Sequence, residues 1–119
     1  MEYPHRGEIY LIDFSPSIGK EMKDIHPCVV IQNNVANKVS GLTIVAAITS
    51  NLRVAKLPVG VMVTPEESGL TQESVIHLGH IYTIDKRRLV RYIGRLTPYK
   101  LNEVNQAIEV SLGLERFRL

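Results

Sequence analysis

Two runs of this chain end in groups that can do chemistry. His26-Pro27-Cys28-Val29-Val30-Ile31 breaks into Gln32-Asn33-Asn34, and Ile44-Val45-Ala46-Ala47-Ile48 breaks into Thr49-Ser50. Runs of this composition fit buried strands, and polar residues at a strand end present hydrogen-bonding groups where a small β domain keeps a site. A third feature is charge. Lys86, Arg87, Arg88, Arg91 and Arg95 fall in one short stretch, and Arg116 and Arg118 lie near the end of the sequence. Such a cluster is either a solvated basic face or a patch facing phosphate. The net charge is +2, too mild to imply nucleic acid by itself.

Other chemistries find little support. The single cysteine, Cys28, cannot form an internal disulfide and sits inside an apolar run, as a small core residue does. No Cys/His cluster has the spacing of a zinc site, and neither phosphate-loop nor dinucleotide-type glycine patterns occur. No metal and no cofactor are expected. The N-terminal residues Met1 to Arg6 lack an apolar signal segment and no run is long enough to span a bilayer, so a soluble cytoplasmic protein is the expectation. With 119 residues, 45% hydrophobic and 22% charged, the composition is globular and one domain over 1–119 is expected.

The elements that position these residues are mostly strands. Gly7–Phe14 is β-branched and aromatic; Cys28–Gln32, Leu42–Ile48, Val59–Val63 and Val90–Leu96 read likewise. Pro27 is expected at a strand start, where a missing N–H does least harm. Ser74–Leu78 and His80–Ile84 read as short strands or one strand bent at Gly79. Ser15–Ile25 is a long polar loop, Asn33 to Gly41 a connection, Ser50–Lys56 a loop, Pro65–Gly69 a turn and Asp85–Arg88 a turn or single helical turn. The period then changes. Thr97-Pro98 is a helix start, Leu101, Val104, Ile108 and Leu112 recur at helical spacing, and Gly113 is a stop. The expectation is a mainly β fold, a small bent sheet with one C-terminal α-helix.

Taken together, Arg6-Gly7-Glu8-Ile9-Tyr10, Gly19-Lys20-Glu21, Pro27 through Asn34, Ala46-Ala47-Ile48-Thr49-Ser50, Leu57-Pro58, Thr83-Ile84-Asp85-Lys86, Ile93-Gly94-Arg95-Leu96 and Val110-Ser111-Leu112-Gly113-Leu114 resemble the MazF/PemK toxins of bacterial toxin–antitoxin pairs. The match runs in order over nearly the whole chain. The resemblance implies a small SH3-like barrel of the CcdB/MazF/PemK type, paired into a homodimer. It implies sequence-specific, metal-independent cleavage of single-stranded RNA, leaving a 2′,3′-cyclic phosphate and a 5′-hydroxyl. It also implies a MazE-like antitoxin partner whose extended acidic tail occupies the RNA groove. The related CcdB-type toxins share the fold but poison DNA gyrase; the Arg6–Tyr10 and Ala47–Ser50 signatures argue against that function.

In this reaction the 2′-OH attacks the adjacent phosphorus, so an enzyme removes the 2′-OH proton, stabilises added negative charge and protonates the leaving 5′-oxygen. The family uses an Arg just before the strand-two Pro and a Thr at the end of strand three. Thr49 matches the Thr, and His26 stands in the Arg position. Histidine is no substitute for a permanently charged fork, but it titrates near neutrality and does acid or base work. The family's Glu-Gln-Ile-Arg reads Gly79-His80-Ile81-Tyr82 here. One reading sets His26 and His80 around the scissile phosphate as base and acid, with Thr49 and Lys20 or Lys56 holding its charge. The other is a weakened or inactive protein that binds antitoxin or nucleic acid. Gly19, Lys20, Glu21, Ser50, Lys56, Leu57, His80 and Tyr82 are read as RNA-binding, His80 and Tyr82 as departures from the family's residues and Tyr82 by stacking on a base. His5 and His77 are read as incidental, with His77 facing solvent or a partner.

Overall fold

The computed structural model describes residues 3–16 and 24–114. Its elements in chain order are β1 (Glu8–Asp13), β2 (Ile25–Val30), α1 (Asn34–Val39), β3 (Leu42–Thr49), a 3-10 turn (Leu52–Lys56), β4 (Gly60–Val63), α2 (Pro65–Ser68), β5 (Ser74–Asp85), a second 3-10 turn (Lys86–Arg88), β6 (Leu89–Arg95) and α3 (Pro98–Leu112). The six strands form one antiparallel sheet in the order β4-β5-β3-β2-β1-β6. The sheet curls into a half-barrel, with α3 as the expected C-terminal helix.

Alternation along the strands builds two cores. Val29, Ala46, Ile48, Ile76 and Leu78 point to one side and pack with Val104 and Ala107 of α3. Cys28, Val30, Val45, Ile12 and Ile84 point to the other, joined by half-buried Tyr10, Phe14 and Leu89. Helix α3 begins as its sequence directs: the Thr97 side chain accepts from Lys100 N–H, and Pro98 occupies the first turn. It ends at Gly113 in the left-handed conformation. Of its expected apolar stripe, Val104 is fully buried and Leu101 and Ile108 pack against the core, whereas Leu112 is exposed.

The connections hold more helix than their composition suggests. Asn33 to Gly41 contains α1, whose first turn Asn33 caps by accepting Ala36 N–H. A loop at Ser50–Lys56 becomes a 3-10 turn capped by Asn51. The expected turn at Pro65–Gly69 is α2, closed by a reciprocal pairing of Thr64 and Glu67. These segments are four to six residues long, too short for periodicity to register.

Strand β5 is continuous. Its pairing with β3 shifts between Ala46 and Ala47, whose partners are Ile81 and His77, so Leu78, Gly79 and His80 fall in the bend. Helix α2 lies between the two edge strands β4 and β6, and close approach there requires glycine. A Cβ on Gly94 would stand 2.3 Å from the Ser68 carbonyl oxygen, and one on Gly69, at φ +83°, 2.6 Å from that of Ile93.

Candidate active site

The site begins with a proline. Strand β2 starts at Ile25, before the expected boundary, so Pro27 lies within it. The β1–β2 ladder passes through Leu11↔Pro27 and Ile12↔His26. Phe14 N–H donates to the Asp24 carbonyl at 2.8 Å; from there the ladder alternates, turning the backbones of His26 and Cys28 toward β1 and that of Pro27 toward β3. Pro27 has no N–H to give on that side. The β2–β3 ladder accordingly ends at Cys28↔Ala47, and the strands part beyond it.

A cleft of about 520 Å³ opens there. It is lined by Leu11, by His26 and Pro27 of β2, by Ile48, Thr49 and Ser50 at the end of β3, by Gly69 to Gln72 with Ser74, and by Arg91 and Ile93 of β6. Extension of the β2–β3 register by two residues carries His26 toward Thr49. His26 is exposed at the rim and also lines a second cavity of about 400 Å³ with Phe14, Cys28, Ala47, Ile48 and Tyr82. The Phe14 ring lies 6.1 Å from that of His26 and 5.5 Å, edge-on, from that of Tyr82. The imidazole therefore stands between a cleft of mixed polar and apolar lining and an aromatic hollow.

Thr49 is half-buried and its hydroxyl is held. Asn51 N–H donates to Thr49 Oγ1 at 3.1 Å, and Asn51 Oδ1 in turn accepts Arg53 N–H. The strand end, the turn and the 3-10 cap form one hydrogen-bonded unit. An accepted bond leaves the hydroxyl proton available to an acceptor in the cleft.

The other expected site residues separate. Ser50 lines the cleft. Tyr82 is on the aromatic side of His26. His80 lines neither cavity: its ring stacks on that of His77 at 3.8 Å, so the two histidines proposed to act together, His26 and His80, are not brought together. Burial and the nearby His80 lower the pKa of His77, opposed by a hydrogen bond to its own backbone; its Nδ1 accepts Gly79 N–H at 3.0 Å. Lys56 and Leu57 are exposed at the end of the 3-10 turn, outside both cavities. Gly19, Lys20 and Glu21 lie outside the described residues, as do Arg116 and Arg118.

Three members of the basic stretch hold the fold. Arg87 forks onto Asp85 at 3.0 and 3.1 Å and keeps that carboxyl down at about 2. Arg88 donates to the carbonyls of Asp13 and Ser15, and Lys86 to that of Asn37. Arg91 instead reaches the cleft; its membership of a basic run was the one signal for it. Thr71, Gln72 and Phe14 had none. Among the described residues, no three His, Cys, Asp or Glu side chains converge as a metal site, and no helix is long and apolar enough to cross a membrane.

Comparison with known proteins agrees with this architecture. The chain is 45% identical over 113 residues to endoribonuclease MazF of Staphylococcus saprophyticus, spanning 95% of this chain and 94% of that one. It is 41% identical over 112 residues to endoribonuclease EndoA of Bacillus subtilis, spanning 94% and 97%. Its fold is similar to that of a mycobacterial endoribonuclease solved with its cognate antitoxin, at a TM-score of 0.78 and 27% identity over 93% of this chain and 96% of that one. Residues 5–112 match the family of PemK-like, MazF-like toxins. A match of that extent, on a similar fold, places the chain in the PemK-like, MazF-like toxins of type II toxin–antitoxin systems.

Proposed function

We propose that this protein is a sequence-specific endoribonuclease toxin that cuts single-stranded RNA in the cytoplasm without a metal and is silenced by a MazE-like antitoxin. The observation that carries the reading is the shared cleft of His26 and Thr49, which no carboxylate lines among the described residues. A phosphate can enter it without meeting like charge.

The neutral His26 imidazole accepts the 2′-OH proton as the 2′-oxygen bonds to phosphorus. The bond from phosphorus to the 5′-oxygen breaks, and that oxygen takes a proton from water, to which the cleft is open. The products are a 2′,3′-cyclic phosphate and a 5′-hydroxyl. Thr49 donates its hydroxyl proton to a non-bridging oxygen as charge builds there. The aromatic hollow beside His26 receives an unstacked base, with Tyr82 as its exposed face. An extended acidic antitoxin segment would likewise meet no carboxylate in this cleft and would face the Arg91 guanidinium. The acting unit is a homodimer.

The test is incubation of an unstructured RNA with the purified protein in EDTA, with mapping of the ends. Discrete cuts bearing cyclic phosphates, lost in Thr49→Ala, support the reading. Intact RNA with folded, antitoxin-free protein moves it to a toxin-like protein that acts by binding antitoxin or nucleic acid. The separation of His80 from His26 is the observation that favours this second reading.

A further inference from the structure

Arg91 is the only permanently charged residue lining the cleft among the described residues. Three of the other four members of the basic stretch are engaged, Lys86 and Arg88 on backbone carbonyls and Arg87 on Asp85, and the fourth, Arg95, does not line the cleft. No carboxylate lies within ion-pair distance of Arg91 among the described residues, and its side chain is exposed. A guanidinium held at the mouth of an acid-free cleft, with five donors and no acceptor, is a site for an anion.

Register places it where a phosphate between His26 and Thr49 can be reached. Arg91 pairs with Leu11 of β1, and Leu11 pairs with Pro27 of β2. Cross-strand partners share a face, so Arg91, Leu11 and Pro27 form one row across the concave side. Two strand spacings separate the Cα atoms of Arg91 and Pro27 by about 10 Å. Arg91 and Pro27 line the same cleft as His26 and Thr49, so a phosphate seated in it meets the guanidinium. His26 adjoins Pro27 in the chain.

We infer that Arg91 binds a non-bridging oxygen of the scissile phosphate from the β6 side, opposite His26 and Thr49. It supplies the fixed positive charge that a titrating imidazole cannot keep. The inference rests on the ribonuclease reading for its consequence in catalysis, but phosphate binding by Arg91 can be read without turnover.

The test uses full-length Arg91→Ala and Arg91→Lys, with Lys38→Ala, an exposed change on α1 away from the cleft, as the control for net charge. Binding is measured against a single-stranded oligonucleotide carrying 2′-O-methyl groups, which cannot be cut, over a series of salt concentrations. Loss of one phosphate contact lowers the slope of log K against log salt by about 0.7. That loss in Arg91→Ala, and not in Lys38→Ala, is the expected result. On cleavable RNA, Arg91→Ala is expected to lower kcat by about 100-fold, and Arg91→Lys to recover only part, because a point charge lacks the fork.

An unchanged salt slope in Arg91→Ala overturns the inference whether or not RNA is cut. Unchanged cleavage in Arg91→Ala, with Thr49→Ala inactive, overturns it while leaving the ribonuclease reading intact. A wild type that cuts nothing but loses the salt slope in Arg91→Ala supports the phosphate contact and removes the catalytic reading alone.

Discussion

Asn51 N–H donates to Thr49 Oγ1 at 3.1 Å, fixing the hydroxyl oxygen at the end of β3. Because a hydroxyl accepts and donates at once, this bond leaves the proton free for an acceptor in the cleft that Thr49 lines. Thr49→Ala is expected to reduce cleavage by about 100-fold to 1,000-fold, the cost of one donor to a developing oxyanion. Thr49→Ser keeps the hydroxyl and is expected to retain most activity. The initial rate on an unstructured RNA in EDTA checks both, and equal losses in the two variants would assign Thr49 to packing.

For His26, the discriminating changes are to residues that cannot titrate. His26→Gln keeps a polar side chain but transfers no proton, and is expected to lose about 100-fold to 10,000-fold in rate. The wild-type pH–rate profile should contain a limb that this variant lacks. His26→Arg adds a fixed charge and removes the base, so cleavage is expected to fall. A rise in His26→Arg would mean that the position serves as a cation, and a flat wild-type profile would sink the proton-transfer role.

The close packing of α2 on β6 has a direct test. Gly94→Ala puts a Cβ 2.3 Å from the Ser68 carbonyl oxygen, and the backbone must move to accept it. A loss of about 1–3 kcal/mol is expected, seen in urea as a lower midpoint at unchanged slope. Gly41→Ala meets nothing within 4 Å and is expected to be neutral or slightly stabilising.

Cys28 is 1% exposed, and burial pushes its thiol up to about 12. The thiolate is the nucleophile, so Cys28 should react with a disulfide reagent at mildly alkaline pH only as fast as the protein opens. The sign of the linkage follows. The folded state holds this proton longer than the unfolded chain, so the stability contribution is intact below the unfolded value of 9.0 and declines as pH rises from there toward about 12. Rapid labelling of the native protein would contradict the assignment to the core.

Asp85 behaves oppositely. Hydrogen bonds from the Arg87 side chain and backbone lower it to about 2 from 3.8. A depressed carboxylate contributes stability above its unfolded value and loses that contribution as pH falls through the folded one. Asp85→Asn should therefore flatten the acid limb of the stability curve between 3.8 and about 2. The pair is exposed, so the effect should shrink with added salt.

Much of this was legible in the residues themselves. The apolar, largely β-branched composition of Cys28–Val30 and Leu42–Thr49 carries strand identity, because such side chains suit a strand buried on both faces. The cap at Thr97, the stop at Gly113 and the bend at Gly79 follow from local chemistry. Thr49 at a strand end is local too. The short helices α1 and α2 escaped because a single turn has no period, and capping by Asn33 or Thr64 resembles any polar turn.

What the sequence by itself determined were the elements and the ends of the runs that carry His26, Thr49 and Ser50. Only the tertiary structure decided which of the chemical groups meet. Arg91 reaches the cleft because β6 pairs with β1, which pairs with β2, an order set by closure of the sheet rather than by separation along the chain. His80 is carried to His77 by the irregular pairing of β5 with β3, and so stands apart from His26. Lys86, Arg87 and Arg88 look like Arg91 in sequence, yet each is bound where the fold brings an acceptor to it. Strand order, register and the supply of partners are properties of contacts distant in the chain, which no local pattern of residue types encodes.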